Sequence, residues 1–250
     1  MSEAFVTALL ELADDHLVLG HRLSEWCGHA PMLEEDLALP NMALDLIGAA
    51  RGLYARAGEI EGKGRDEDDL AYLRGERAYL NCLLVERENG DFAQTMLRQL
   101  YFAAFMEPYW RAAASSDDPV LRGIAAKAVK EVAYHIRHAG EWVVRMGDGT
   151  GESARRMAEA VEELHRFTDE LFFSSPAAEA AEAAGLLPVR AETRGAWEAT
   201  IRTVFAEARL GWPAQVWAQQ GGRAGAHGEA LGHLLAEMQS LHRAHPGAAW

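Results

Sequence analysis

The sequence is poor in cysteine and in basic residues, and both shortages restrict what the chain can be. It contains two cysteines, Cys27 and Cys82, whose spacing is neither that of a metal knuckle nor that of a disulfide framework. We therefore expect two buried thiols in a reducing compartment. Lysine and arginine total 24 against 38 acidic residues, and the formal net charge of −14 disfavours DNA, RNA or an anionic membrane as the main partner.

Long apolar runs, strand patterns and several catalytic motifs are also missing. No run approaches the roughly 18 apolar residues of a membrane span, and the start lacks the basic lead of a signal peptide. We expect a soluble, cytoplasmic protein with no membrane partner. No useful stretch alternates apolar and polar residues, which predicts an all-α fold. A phosphate-binding Gly-rich loop, a nucleophile elbow and a catalytic Cys-His signature are absent as well.

The stretch from Asp118 to Gly147 predicts a long helix around which the other elements are arranged. Asp118 suits the N-cap, Pro119 suits the first helical position, and Gly147 suits a left-handed residue that ends the helix. One stripe at alternating steps of four and three indicates a buried face: Leu121, Ala125, Ala128, Val132, His135, Ala139, Trp142 and Met146. Glu131 and His138 flank His135 by one turn each, so polar groups project toward whatever the helix packs on.

The same spacing predicts three more long helices, over residues 3 to 27, about 33 to 58, and Asp91 to Trp110. Pro40 indicates either a kink in the second helix or its true first turn, and Pro108 is expected to bend the last turns of the third. Four long helices joined in this way predict an antiparallel four-helix bundle with additional helices. We expect the whole chain, 1–250, to be a single domain.

Shorter elements are expected around the bundle. They are a helix over 68–86, a helix lined from Met157 to Leu171, an Ala- and Pro-containing connection over 174–190, and two final helices, one carrying Trp197, Ile201 and Val204, the other Leu231, Leu234, Met238 and Leu241. A Gly-rich loop over 211–228 separates these last two helices. For the GGRAG run around Arg223 we expect no role beyond that of a loop.

Polar residues on the predicted buried faces fall near helix middles and could meet in one layer: His16, Asn41 or Asp45, Gln99, Glu131 and His135. A di-iron site of a ferritin-like bundle takes a Glu from each of two helices and a Glu-x-x-His from each of the other two. The only Glu-x-x-His here ends at His165, beyond the four long helices, where we expect Glu162 and His165 to be solvated. Gln99 stands where a bridging carboxylate would be wanted, so the two-iron count fails.

Two interpretations of the polar layer remain open. In one, His16, Asp45, Glu131 and His135 supply two imidazoles and two carboxylates to a single zinc-like ion. In the other, the same side chains satisfy each other by hydrogen bonds, as buried histidines more often do. We favour the second interpretation.

Several separate motifs resemble those of one known protein family. EWCGHAPMLEEDLAL, NMALDLIGAAR, ERAYLNCLLVERENGDFAQTMLRQ, KEVAYHIRH and LAEMQSLHRAHPGAAW occur in order, and the match runs nearly end to end. They are similar to the C subunits of ring-1,2-phenylacetyl-CoA epoxidases, multicomponent oxygenases of bacterial phenylacetate degradation. The resemblance implies a ferritin-like fold. It also implies a catalytic A subunit as partner, which binds the di-iron centre and the substrate, together with a small B subunit and a reductase.

In that family the C subunit is the structural member without the di-iron site. The resemblance therefore implies no catalytic, cofactor-binding or metal-binding residue in this chain, although the whole complex would epoxidise phenylacetyl-CoA with NADPH and O₂. The alternative function is a stand-alone metalloenzyme that holds one metal in the polar layer. We expect the partner surface on the outward faces of the first two long helices, with Ala50 as an exposed small position, and on the C-terminal helices if not there.

Overall fold

The computed structural model describes residues 2–214 and 217–248. It contains these α-helices: α1 Ser2–Ser24, α2 Leu33–Glu61, α3 Glu67–Tyr72, α4 Leu83–Glu86, α5 Phe92–Ala113, α6 Pro119–Gly147, α7 Gly151–Leu164, α8 Pro176–Ala183, α9 Arg194–Glu207 and α10 Glu229–Ala244. No strand occurs in the described ranges, so the all-α, ferritin-like prediction is confirmed. Two positions of the predicted 211–228 loop, 215 and 216, and the last two of the final motif, 249 and 250, lie outside the described residues.

The chain divides into two compact units. The first comprises the described residues of Met1–Glu88, Ser175–Ala181 and Gly221–Trp250, and the second those of Asn89–Ser174 and Glu182–Gln220. The expectation of one domain over 1–250 stays a prediction. None of the helices among the described residues is both long enough and apolar enough to cross a membrane.

The first unit is built on an antiparallel pair of helices, α1 and α2. Gly20 late in α1 lies against Ala43 and Ile47 early in α2, while Asp14 nearer the middle of α1 meets Tyr54 further along α2. A Cβ at Gly20 would come within 2.8 Å of Ile47 Cγ1 and 3.2 Å of the Ala43 carbonyl oxygen. The glycine therefore permits the close approach of the two helices.

The second unit is built on the pair of α5 and α6. The Phe92 ring at the start of α5 packs edge-on against Trp142 near the end of α6, with 5.0 Å between ring centroids, so the two helices run antiparallel. The predicted N-cap Asp118 is confirmed, because its side chain accepts from the Leu121 amide at 2.8 Å. Asp91 caps α5 in the same way and accepts from the Gln94 amide at 3.0 Å.

The end of α6 differs from the prediction. Gly147 is the last helical residue, the C-cap is Asp148 with φ −93°, and Gly147 is not among the left-handed glycines. Its lack of a side chain serves packing instead, because a Cβ there would lie 2.5 Å from the carbonyl oxygen of Ala208. At Pro40 the true-first-turn alternative is wrong, since α2 begins at Leu33 and continues through the proline.

Three shorter predictions are corrected as well. The stretch 68–86 is not one helix: α3 ends at Tyr72, a 3₁₀ turn spans Glu76–Ala78, and α4 begins at Leu83. The helix lined from Met157 ends at Leu164 and continues as 3₁₀ turns. The connection over 174–190 contains α8, whose alanine-rich sequence favours a helix.

Candidate functional site

The four residues of the predicted single-metal site lie in two different units. In the first, His16 is buried and its Nδ1 lies 2.7 Å from the Leu12 carbonyl oxygen, while Asp45 is half-buried. In the second, His135 is buried and the half-buried Glu131 forms an ion pair with Lys127 at 3.1 Å. Across the described ranges, no group of three or more His, Cys, Asp and Glu side chains could hold a metal ion. The single-metal alternative therefore lacks the grouping that it requires.

The predicted polar layer is also incomplete. Asn41 is exposed, so it belongs to the outer face of α2 rather than to the interior. Gln99 is fully buried, as expected, but neither of its amide atoms has a hydrogen-bond partner among the described residues. The hydrogen-bonded layer that we favoured is thus not the main polar feature of the interior.

Sequence reasoning missed a denser polar cluster, which centres on two adjacent carboxylates of α1. Asp14 forms a buried ion pair with Arg74 and accepts a hydrogen bond from the Tyr54 hydroxyl. Asp14 Oδ2 also accepts from the Leu80 amide at 2.8 Å, and Asp15 Oδ1 accepts from the Cys82 amide at 2.8 Å. These bonds to backbone amides hold the segment before α4 extended, which is why no single helix forms over 68–86.

The loop around Arg223 completes this cluster. Arg223 Nη2 donates to Asp15 Oδ2 at 2.7 Å, and Arg223 Nη1 donates to the Leu80 carbonyl oxygen at 2.9 Å. A Cβ at Gly222 would lie 2.0 Å from the Asn81 carbonyl oxygen, so a glycine is needed for this approach. The expectation that the GGRAG run is only a loop is therefore wrong. Two adjacent acids, Asp14 and Asp15, within a mostly apolar stretch of α1 were the sequence signal for a buried partner.

The electrostatics of this cluster favour permanent charge pairs. Burial lowers the pKa of Arg74, but the carboxylate of Asp14 outweighs it, and the net result is a raised pKa. Arg223 shows the same balance beside Asp15. Burial and the Asp14 charge also raise the pKa of the Tyr54 hydroxyl, which stays protonated and donates. The carboxylates of Asp14 and Asp15 are thus committed to arginine and to backbone amides.

The outward side of α2 carries a different feature, a row of exposed leucines. Leu33, Leu37 and Leu44 are 69%, 60% and 66% exposed, and their spacing of four and seven residues places them on one face. Asn41 and Gly48 are exposed on the same side. We call these five residues the α2 face. Such a row of large apolar side chains is typical of a surface that packs on another protein.

The expected partner surface needs two corrections. Ala50 is only 1% exposed, so it faces the interior of the first unit rather than outward. In α1, every residue from Glu11 to Gly20 is buried, which leaves no outward face along the middle of that helix. Of the two helices proposed from the sequence, α2 alone presents an extended exposed apolar row.

The second unit contains a cavity beside α7. It has a volume of about 480 Å³, and its lining includes His165 and Trp212, whose rings pack edge to face with 5.4 Å between centroids. Glu162 is exposed as expected, but His165 is half-buried, and its Nδ1 lies 3.2 Å from the Tyr101 hydroxyl. Burial lowers the pKa of His165, so this imidazole is neutral at pH 7.

The prediction of two buried thiols holds for one cysteine only. Cys82 is buried, whereas Cys27 is exposed.

Comparison with known protein families tests the family resemblance that the sequence motifs indicated. The model of a family described as "Phenylacetic acid catabolic protein" matches residues 1–250. The chain belongs to this phenylacetic acid catabolic protein family. Within the family, it is 45% identical over 241 residues to the C subunit of 1,2-phenylacetyl-CoA epoxidase from Escherichia coli (strain K12). The alignment covers 96% of this chain and 97% of the relative, so the resemblance stated from the motifs is confirmed over nearly the full length.

Proposed function

We propose that the chain is a non-catalytic structural subunit of a di-iron phenylacetyl-CoA epoxidase in phenylacetate degradation. It stabilises and positions a catalytic A subunit, which holds the di-iron centre and the substrate, and a B subunit and a reductase complete the cytoplasmic assembly. The similarity to the C subunit of an epoxidase along 96% of the chain is the observation that carries this proposal.

The use of the buried carboxylates supports a structural role. A di-iron centre needs several carboxylates and histidines that converge on one point. In the first unit, Asp14 and Asp15 instead neutralise Arg74 and Arg223. An ion-pair network of this kind fixes the fold but offers no free ligand and no nucleophile.

The α2 face supports the binding part of the proposal. Burying one leucine side chain contributes about 1.5–3 kcal/mol, so three exposed leucines on one helix can contribute substantially to association. Gly48 lies one turn beyond Leu44 on this face and would let the backbone of a partner helix approach closely. The occupant that we propose for the α2 face is a helix of the catalytic A subunit.

A charge placed on the α2 face tests this assignment. The double variant Leu37→Asp and Leu44→Asp is expected to keep the helical content of the isolated chain, because both side chains are exposed. Its association with the A subunit should weaken at least tenfold, since two buried carboxylates without partners would cost more than about 1.4 kcal/mol. Co-expression followed by size-exclusion chromatography and a binding titration measures the effect.

Leu241→Asp provides the matched control. Leu241 is an exposed leucine of α10, so the chemical change and the exposure are similar while the helix is different. We expect this variant to bind the A subunit normally. If Leu241→Asp abolished association and the α2 double variant bound normally, the interface would lie on the C-terminal helices, and the role of the α2 face would be refuted.

A further inference from the structure

His227 lies between two hydrogen-bond acceptors in the first unit. Its Nδ1 is 2.7 Å from Glu86 Oε2, and its Nε2 is 2.8 Å from the carbonyl oxygen of Tyr79. The imidazole is completely buried, with 0% of its side chain exposed. Each ring nitrogen therefore faces an oxygen that accepts hydrogen bonds, at a distance that requires a hydrogen on the nitrogen.

A neutral imidazole cannot satisfy this arrangement while Glu86 is ionised, as the amide donors to both of its carboxylate oxygens indicate. It carries one N–H group and one bare nitrogen, so either the carboxylate or the carbonyl oxygen would face a lone pair. Only the imidazolium form donates to both acceptors. We propose that His227 is held as a cation and acts as a pH-sensitive latch, which fastens the segment 221–228 to the segment 79–86.

The groups around His227 are consistent with a positive charge. Glu86 is almost fully buried, and its other bonds come from neutral donors, since Asn81 Nδ2 donates to Oε2 at 2.9 Å and the Gly228 amide donates to Oε1 at 2.8 Å. His227 is therefore the cation that neutralises the Glu86 carboxylate directly.

The other charged groups of this region are occupied elsewhere. The guanidinium of Arg22, from α1, donates to the backbone carbonyl oxygen of Glu86 and to the Glu25 carboxylate. Asp14, also from α1, adds negative charge near the imidazole, although its own ion pair is with Arg74. Glu86 is therefore the nearest carboxylate whose charge the imidazolium of His227 neutralises.

The direction of the pKa shift fixes the pH range of the latch. Burial lowers the pKa of His227, but the bonds to Glu86 and to the Tyr79 carbonyl oxygen outweigh burial, so the pKa is raised above its ordinary value of 6.5. A raised pKa in the folded state means that the stabilisation is complete below about 6.5 and is lost as the pH rises through the folded-state pKa. The latch is therefore closed below about pH 6.5 and opens as the pH rises through the raised pKa of His227.

Opening is expected to be local. Deprotonation removes one of the two bonds that His227 makes and leaves the Glu86 carboxylate buried without its cation. Arg223, in the same segment, keeps its ion pair with Asp15 at any of these pH values because a guanidinium does not deprotonate. The end near Gly228 should thus loosen while the end near Arg223 stays attached. This latch does not depend on the proposed scaffold role.

NMR of the full-length chain with ¹⁵N-labelled histidine measures the protonation state directly. At pH 6.5 more than half of the His227 rings are expected to carry protons on both nitrogens, because the midpoint of deprotonation should lie above this ordinary value. His165 is the internal control, because its lowered pKa predicts a neutral ring in the same spectrum. A His227 ring that carries mainly a single proton at pH 6.5 would overturn the latch, whatever any variant shows.

Two variants separate the latch from general packing. Glu86→Gln should lower the midpoint of His227 by about one pH unit or more, since the opposite charge is removed. Glu229→Gln, an exposed acid two residues from His227, should leave the midpoint within a few tenths of a unit.

Hydrogen exchange at the Gly228 amide, corrected for the intrinsic rate, should lose protection as the pH passes the midpoint in the wild-type chain. In the His227→Gln variant, the protection of the Gly228 amide should not change over this pH range. Constant protection across the wild-type midpoint would also refute the latch.

Discussion

Arg223 and Asp15 form an ion pair with 2.7 Å between Nη2 and Oδ2, and their side chains are only 2% and 0% exposed. The two residues are far apart in the sequence, so the pair attaches the segment 221–225 to the middle of α1. Arg223 also donates to the carbonyl oxygen of Leu80, which connects the segment before α4 to the same point. One buried guanidinium thus holds three parts of the first unit together.

Arg223→Met is expected to destabilise the chain strongly. The substitution leaves Asp15 charged and buried without its cation, which typically costs about 3–5 kcal/mol. Urea unfolding followed by circular dichroism measures the loss. Arg155→Met is the control, because Arg155 pairs with Glu152 and Glu159 on the surface and its loss should leave the unfolding midpoint unchanged. Equal losses for the two variants would contradict the importance given to the buried pair.

Gln99 and Gln239 form a second matched pair of predictions. Gln239 Nε2 donates to the carbonyl oxygens of Ala71 and Arg74, both at 3.0 Å, whereas no described residue hydrogen-bonds the side chain of Gln99. Gln239→Met should therefore lower the free energy of unfolding by about 1–3 kcal/mol. Gln99→Met keeps a similar volume and removes an unsatisfied amide, so it should leave the free energy unchanged or raise it. A loss for Gln99→Met as large as for Gln239→Met would refute this account.

Two glycines test how closely the helices pack. Gly20→Val introduces atoms where a Cβ would already lie 2.8 Å from Ile47 Cγ1, so we expect a loss of about 1–3 kcal/mol. Gly123, an exposed residue inside α6, has no neighbouring atom within 4 Å of a built Cβ. Gly123→Ala should stabilise the chain by about 0.5–1 kcal/mol through helix propensity. Thermal unfolding of both variants would show opposite shifts, and shifts of the same sign would contradict the packing described here.

The long helices could be predicted from the sequence because their signals are local. The apolar stripe of α6 follows from the helical period and one buried face. Its N-cap is equally local, because Asp118 accepts a hydrogen bond from the amide of Leu121, three residues further along. The count of Glu-x-x-His motifs used the same local information, which is why it needed no structure.

The buried ion-pair cluster could not be predicted in this way. The bonds of Asp14 and Asp15 reach residues from 40 to more than 200 positions away, and no periodicity records such contacts. The stretch 68–86 has the apolar spacing of a helix, but the two carboxylates take up backbone amides of Leu80 and Cys82 and impose an extended segment. Tertiary hydrogen bonds overrode local propensity here.

The candidate partner surface was predicted in part. The prediction placed the surface on the first two long helices with Ala50 exposed, yet Ala50 faces inward and the exposed row consists of leucines. A helix with apolar residues on two faces shows no narrow stripe, so the sequence pattern cannot assign each apolar residue to the inner or the outer face. The positions of Leu37 and Leu44 become clear only when the buried face is fixed by packing against α1.

The iron content of the isolated chain tests the central claim most directly. The chain is produced alone in iron-rich medium, passed through gel filtration and analysed for metal, in parallel with the complex that contains the catalytic A subunit. A non-catalytic subunit predicts well below about one iron per isolated chain, with iron and phenylacetyl-CoA epoxidation in the complex only. About two tightly held irons per isolated chain, the content of a ferritin-like di-iron site, would contradict the account.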